Sequence, residues 1–181
     1  MKKFNPDLDQ EILKNLLKQF DPESFVRGLK QQYPDIESAA LSFEEFGRKF
    51  ARKAIELGEE RTDGTYEVMK EAIEKTGEMR FPLIPQRYIE IAYLSIQPIK
   101  RLWTLMNSPE AYSYKLDRCS IYTAIKNEYG EEAAKRMTCK KLCLTIIDEV
   151  FSHFGFAVET SMETNMADDG SCEFIVKRKQ K

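Results

Sequence analysis

Among the 181 residues of this chain, four cysteines carry the most chemistry in their type and spacing: Cys119, Cys139, Cys143 and Cys172. Cys139 and Cys143 stand four apart in a stretch with helical spacing. Their thiols are expected one above the other on one helix face, where they can grip a single ion. Cys119 falls between an alternating stretch and a helical one, and Cys172 opens the last alternating stretch, so a fold that joins these ends would bring four sulfurs together. Thiolate is a soft ligand, which selects zinc or an iron–sulfur cluster over hard cations. Zinc is the first choice, in a closed tetrahedral site of structural role, with an iron–sulfur cluster as the alternative. Arg118, Arg136, Lys140 and Lys141 lie close by in sequence, either to offset thiolate charge or simply as solvated helix surface. The competing reading is packing, because free cysteine behaves as a small apolar group. The spacing is not the repeated Cys-x-x-Cys of a zinc ribbon.

Other chemistry is sparse. His153 is the single histidine, which excludes multi-histidine metal sites. Its place near the end of an apolar helix suits a dipole partner or a surface residue better than a catalyst. A Cys143–His153 nucleophilic pair is excluded, since ten residues of helix hold the two roughly 15 Å apart. Glu44-Glu45, Glu59-Glu60 and Glu131-Glu132 are adjacent pairs that point to different helix faces, and so read as solvated surface. No Walker loop, Gly-x-Gly-x-x-Gly or Gly-x-Ser-x-Gly is present. Tyr93, Trp103, Tyr112 and Tyr114 are candidates to line a pocket for an apolar or aromatic small molecule, with core packing as the alternative. The basic tail from Lys177 to Lys181 reads as a solvated end.

The elements that must position these residues follow from periodicity. Amphipathic spacing predicts helices from about Asp7 to Phe20, from Pro22 to about Tyr33 with Asp21 as cap, from Ile36 to Glu60, and from Tyr66 to Lys75. A further helix is expected from about Pro85, ending or kinking near Pro98. Tyr112, Tyr114 and Leu116 alternate with polar residues as in a half-buried strand. Ser120 to Tyr129 and Glu131 to Met137 read as short helices divided by Gly130, and Thr138 is placed to cap a helix reaching Phe154. Phe156 to Thr164 and Cys172 to Arg178 alternate around an Ala167-Asp168-Asp169-Gly170 turn, as a hairpin would. Helices first and a small antiparallel sheet later predict an α+β fold, with a helical region 1–80 and an α+β, cysteine-containing region 81–181 in one compact body.

Composition bounds the rest. A net charge of −2 with 32% charged residues carries no bias toward polyanions, so nucleic acid is not the expected partner. The polar start lacks the apolar core of a secretory signal, and no apolar run approaches the roughly 18 residues of a membrane span. A cytoplasmic protein with reduced thiols, in which homodimerisation is possible, is the expectation.

The tail Asp169-Gly170-Ser171-Cys172-Glu173-Phe174-Ile175-Val176 resembles the Gly-Asp-x-x-Cys-x-Phe ending of 4-vinyl reductase domains and of the related L-2-amino-thiazoline-4-carboxylate hydrolase-like proteins. Asp117-Arg118-Cys119, followed by the cysteine-bearing segment from Thr138 to Phe154, is similar to the hydrolase-like branch, and the resemblance spans roughly Tyr112 to Lys177. It implies a small-molecule- or hydrocarbon-binding domain whose cysteines bind metal, with Cys119, Cys143 and Cys172 at the matching positions. Ile146 stands where that branch has an aspartate, and Gly170-Ser171 where it has Gly-Asp. Both departures count against hydrolase activity, whereas the additional Cys139 favours a four-sulfur site. The function expected is therefore a binding or sensing module, the alternative being a cysteine-dependent enzyme, hydrolase-like or redox, acting on a small heterocycle.

Overall fold

In the computed structural model, which describes residues 10–61, 64–76, 80–97 and 102–179, helices α1 (Gln10–Gln19), α2 (Pro22–Gln32), α3 (Ala40–Glu60), α4 (Gly64–Thr76) and α5 (Arg80–Ile96) precede the sheet. Each buries the stripe its spacing dictates. Ile12, Leu13 and Leu16 face inward from α1, Val26 and Leu29 from α2, and Phe43, Phe50, Ala51 and Ala54 from α3. Asp21 caps α2 by accepting from Ser24 N at 2.8 Å, ahead of Pro22 in the first helical turn. The helix expected over Ile36 to Glu60 begins instead as a 3₁₀ turn, Ile36–Ala39, and becomes α-helical only from Ala40. Helix α5 starts before Pro85, because a non-helical Phe81 joined to Pro82 by a cis peptide merges into it. Asp7, Thr62, Asp63, Gly77 and Pro98, which marked expected boundaries, lie outside the described residues.

The C-terminal half adds β1 (Trp103–Asn107), β2 (Ala111–Leu116), α6 (Ser120–Tyr129), α7 (Glu131–Lys135), α8 (Lys140–His153), β3 (Val158–Thr164), α9 (Met166–Asp169) and β4 (Cys172–Arg178). The fold is α+β, with one antiparallel four-stranded sheet in the order β1-β2-β4-β3. Strand β1 has no counterpart in the sequence reading. Its residues do not alternate in burial and are all exposed at the sheet edge, so the period-two signal is missing. The turn between β3 and β4 is the single-turn helix α9. Asn165 Oδ1 caps it, and Gly170 closes it at φ 68°, a left-handed conformation that costs glycine nothing.

Tyr112, Tyr114 and Leu116 of β2 pair with Val176, Phe174 and Cys172 of β4, so all six side chains share one face, and all six are buried. Helices α5 and α8 cover that face, and α3 packs along α8 from the other side. Contact there is close enough that a Cβ on Gly47 would meet the Leu142 carbonyl oxygen at 2.6 Å. Helix α1 packs on α5, and α2 on α6. No helix among the described residues is long and apolar enough to cross a membrane.

Candidate functional site

The cysteines sit at element ends rather than in element middles. Cys119 is the N-cap of α6, where its sulfur accepts from Tyr122 N at 3.4 Å. Cys172 is the first residue of β4 and lies opposite Leu116, three residues before Cys119, so the β2–β4 register delivers both to the same rim of the sheet. Cys139 is the N-cap residue of α8 and Cys143 lies one turn on, both buried. The expected cap, Thr138, does not serve. The chain reaches α8 through Met137, which has a left-handed φ of 53°. That conformation costs a residue with a Cβ about 1–2 kcal/mol, so the surrounding packing, and not local preference, fixes where Cys139 begins the helix.

All four cysteines are free and buried. Each thiol is pushed above the ordinary thiol range by burial, and in Cys139, Cys143 and Cys172 next by other cysteines, whereas hydrogen bonds from Tyr122, Ile121 and Gln97 partly offset the burial of Cys119. Cys139 is raised by Cys119, Cys143 and Cys172, Cys143 by Cys119 and Cys172, and Cys172 by Cys119, the last to about 12. Every pairing of the four is thus within electrostatic reach. Two sulfurs also face backbone N–H groups, Cys119 that of Tyr122 and Cys172 that of Met166, the kind of donor that steadies a thiolate. The thiols are gathered but not drawn tight. Among the described residues no group of three or more His, Cys, Asp or Glu side chains is disposed, as it stands, to hold a metal ion. In this protonated, buried state none has the character of an exposed nucleophile.

The basic residues near the cysteines turn elsewhere. Arg136 pairs with Asp35 at 3.2 Å and Glu37 at 2.7 Å, and Lys141 with Glu44 at 2.9 Å, each fastening the C-terminal half to the N-terminal helices. Arg118 and Lys140 are exposed.

The aromatic candidates divide. Tyr93, Tyr112 and Tyr114 are all but fully buried and pack together with Phe174; Tyr93 and Tyr114 lie 5.5 Å apart and Tyr114 and Phe174 5.2 Å. Trp103 pairs with Lys115, whose side chain points to the sheet face opposite Tyr114, and its indole N–H donates to Asp117 at 2.5 Å on the surface. The four therefore do not line one cavity. Two of the tyrosines, Tyr93 and Tyr114, lie beside the thiols instead. Tyr93 donates to the Cys143 carbonyl oxygen at 3.4 Å, and the Tyr114 hydroxyl lies beside that of Tyr93, near Cys143 and Cys172. The Tyr112 hydroxyl lies elsewhere, beside Glu90 and Thr104. Sequence reasoning missed this contact because the two tyrosines and the thiols belong to separate elements, α5, β2, α8 and β4.

His153 lies at the other end of α8. It pairs with Glu59 at 3.0 Å on the rim of an open cleft of about 550 Å³ lined by Arg52, Ile55, Glu56, Glu59 and Glu60. No protein-family model matches the chain, and no curated protein is significantly similar to it.

Proposed function

We propose that this protein is a small-molecule-binding or sensing module whose C-terminal half is fastened by a thiophilic metal, zinc in the first place, bound by Cys119, Cys139, Cys143 and Cys172. The observation that carries the reading is that four buried, free cysteines stand at the entry to α6, in the first turn of α8 and at the start of β4, with the β2–β4 register setting Cys172 at the end of the sheet from which the chain runs to Cys119. In the metal-free state neighbouring cysteines add to burial in keeping Cys139, Cys143 and Cys172 protonated. A cation would reverse the sign of those interactions and take up all four thiolates. Drawing the sulfurs onto one ion requires rotation about Cα–Cβ bonds, between staggered positions available to cysteine. Four sulfurs fill a tetrahedral zinc, leave no open position for substrate, and make the role structural. Four unpaired thiols suit a reducing, cytoplasmic setting.

The small-molecule half of the reading rests on the aromatic core around Tyr93, Tyr112 and Tyr114, which a ligand would have to open. The homodimer remains part of the proposal as a solution property to be measured by sedimentation. The deciding experiment is metal and sulfide analysis with an absorption spectrum, on protein purified anaerobically without a histidine tag. About one zinc per chain and no visible colour is the expected result. Iron with acid-labile sulfide and a broad band near roughly 400 nm would replace zinc by a cluster. Metal-free protein that takes up neither metal on reconstitution would return the thiols to packing.

A further inference from the structure

The sheet ends in two edges of opposite character. Strand β3 forms one, and exposed Glu159 and Glu163 lie along it, so a second copy of β3 laid against it would set carboxylate beside carboxylate. Strand β1 forms the other. Its residues, Trp103–Asn107, include no charge and no proline, and Trp103, Leu105 and Met106 are each about half exposed. Among the described residues β1 has β2 on one side and no strand on the other, so its outward backbone N–H and C=O groups form a template for a further strand. Lys115, which pairs with Trp103 across the β1–β2 ladder, is balanced by Asp117 at 3.6 Å.

A charged peptide would need an opposite charge on this edge, and an anionic lipid surface a surplus of basic ones; β1 offers neither. A neutral, extended, apolar strand fits it, and the chain itself supplies one. Trp103 and Met106 pair with Lys115 and Ser113, so both point to the sheet face opposite Tyr112 and Tyr114. We infer that β1 pairs antiparallel with β1 of a second copy across a two-fold axis, each Trp103 opposite the partner's Met106, joining two four-stranded sheets into one. That register keeps an aromatic ring against a thioether twice over on one face, and it sets the two Leu105 side chains beside the axis. The inference names the surface of the homodimer proposed above and is independent of the metal half of that reading. The register shift around Leu105 shortens the ladder. A single short edge also buries less than the roughly 1,200 Å² of a stable interface, so the dimer is a reversible one that forms with rising concentration.

Trp103 is the single tryptophan of the chain, so its emission reports on this edge alone. The test reads sedimentation equilibrium and tryptophan emission together, from low to high micromolar protein, on the full chain, on Leu105→Lys, on Leu105→Glu and on an equimolar mixture of those two variants. The wild type should pass from monomer to dimer as its emission moves to shorter wavelength. Each variant sets like charges together at the axis and should associate at least about 10-fold more weakly, whereas the mixture sets opposite charges there and should recover most of that loss. Melting curves check that the variants fold. Should either melt early, Met106→Glu, expected to be monomeric, takes their place. A wild type that stays monomeric throughout overturns the inference and the homodimer together. A dimer whose emission does not move, or that the variants leave intact, keeps the homodimer and overturns β1 as its surface. A mixture no tighter than its components overturns it as well, since position 105 would then not meet its own copy. Emission that shifts only with anionic phospholipid vesicles, without self-association, gives the edge to a lipid surface instead.

Discussion

The two ends of helix α8 present two contrasting groups of side chains, thiols at one and carboxylates with an imidazole at the other, and they differ in one physical respect. At the N-terminal end, Cys139 and Cys143 meet Cys119 and Cys172 inside the core, where burial keeps every thiol neutral. At the C-terminal end, His153 meets Glu59 beside Glu56 and Glu60 in an open cleft, with the side chains of both His153 and Glu59 about half exposed. Carboxylates and imidazole can be left to water. Neutral thiols pack away from water as small apolar groups, and burial and their mutual proximity hold them protonated. Desolvation, more than ligand identity, makes the first end a candidate centre and leaves the second a polar surface.

That contrast is broken most decisively at Cys172. Cys172→Ser should remove bound metal and lower thermal stability, with a linkage loss on the order of 4 kcal/mol if free metal stands at about 1,000 times its Kd. His153→Ala should change metal content not at all. Equal metal content in wild type and Cys172→Ser would abolish the distinction between the two ends.

Packing of α3 against α8 and α5 offers the next largest effect. At the thiol end a methyl added at Gly47 would strike the backbone of Leu142, which cannot yield. Near the cleft a methyl at Gly58 would strike the Tyr88 ring at 2.7 Å and the Ile91 side chain at 2.8 Å, which can rotate away in part. Both substitutions overpack the core, at about 1–3 kcal/mol, with Gly47→Ala expected to be the more damaging in urea unfolding. A reversed order would mean that α3 and α8 are free to separate at the thiol end.

A third expectation concerns pH in metal-free protein. A thiol whose pKa is raised by folding contributes stability that is complete below the unfolded value, about 8.5, and is lost as pH climbs toward the folded value. For Cys172 that window runs up to about 12. Metal-free wild type should therefore lose stability faster than metal-free Cys172→Ser as pH rises above about 8.5, by roughly 1.4 kcal/mol per pH unit once well inside the window. Parallel melting curves for the two proteins would show that Cys172 is not held neutral by the fold.

The smallest effect belongs to the cleft. The pair between His153 and Glu59 is exposed, and Glu59→Gln should shift stability by less than about 1 kcal/mol in denaturant titration. A loss of several kcal/mol would give the cleft a structural weight its exposure does not suggest.

Much of the fold was legible because its signals are local. The stripe Phe43, Phe50, Ala54 and the cap Asp21-Pro22 report on their own neighbours, and they mark α3 and α2 directly. The alternation of Tyr112, Tyr114 and Leu116, and of Cys172, Phe174 and Val176, marks strands with one buried face. Strand β1 was not legible. Trp103, Leu105 and Met106 are each about half exposed on an edge, so neither face imposes a pattern. The start of α8 was misread for a related reason, since a threonine with capping chemistry at position 138 is passed over once Met137 takes a left-handed turn.

Local residue patterns suffice for the α+β class, the helical stripes, the hairpin between β3 and β4, and the supply of four thiols with a single histidine. These depend on residue type and on periods of two and 3.6, which any short stretch carries within itself. Only the tertiary structure decided that β4 lies beside β2 and not merely beside β3, and that single choice sets Cys172 against the entry to α6 and Tyr114 against Tyr93. Such a pairing is fixed by burial of the whole sheet face under α5 and α8. That is a sum over distant residues and leaves no mark in the local sequence of any one of them.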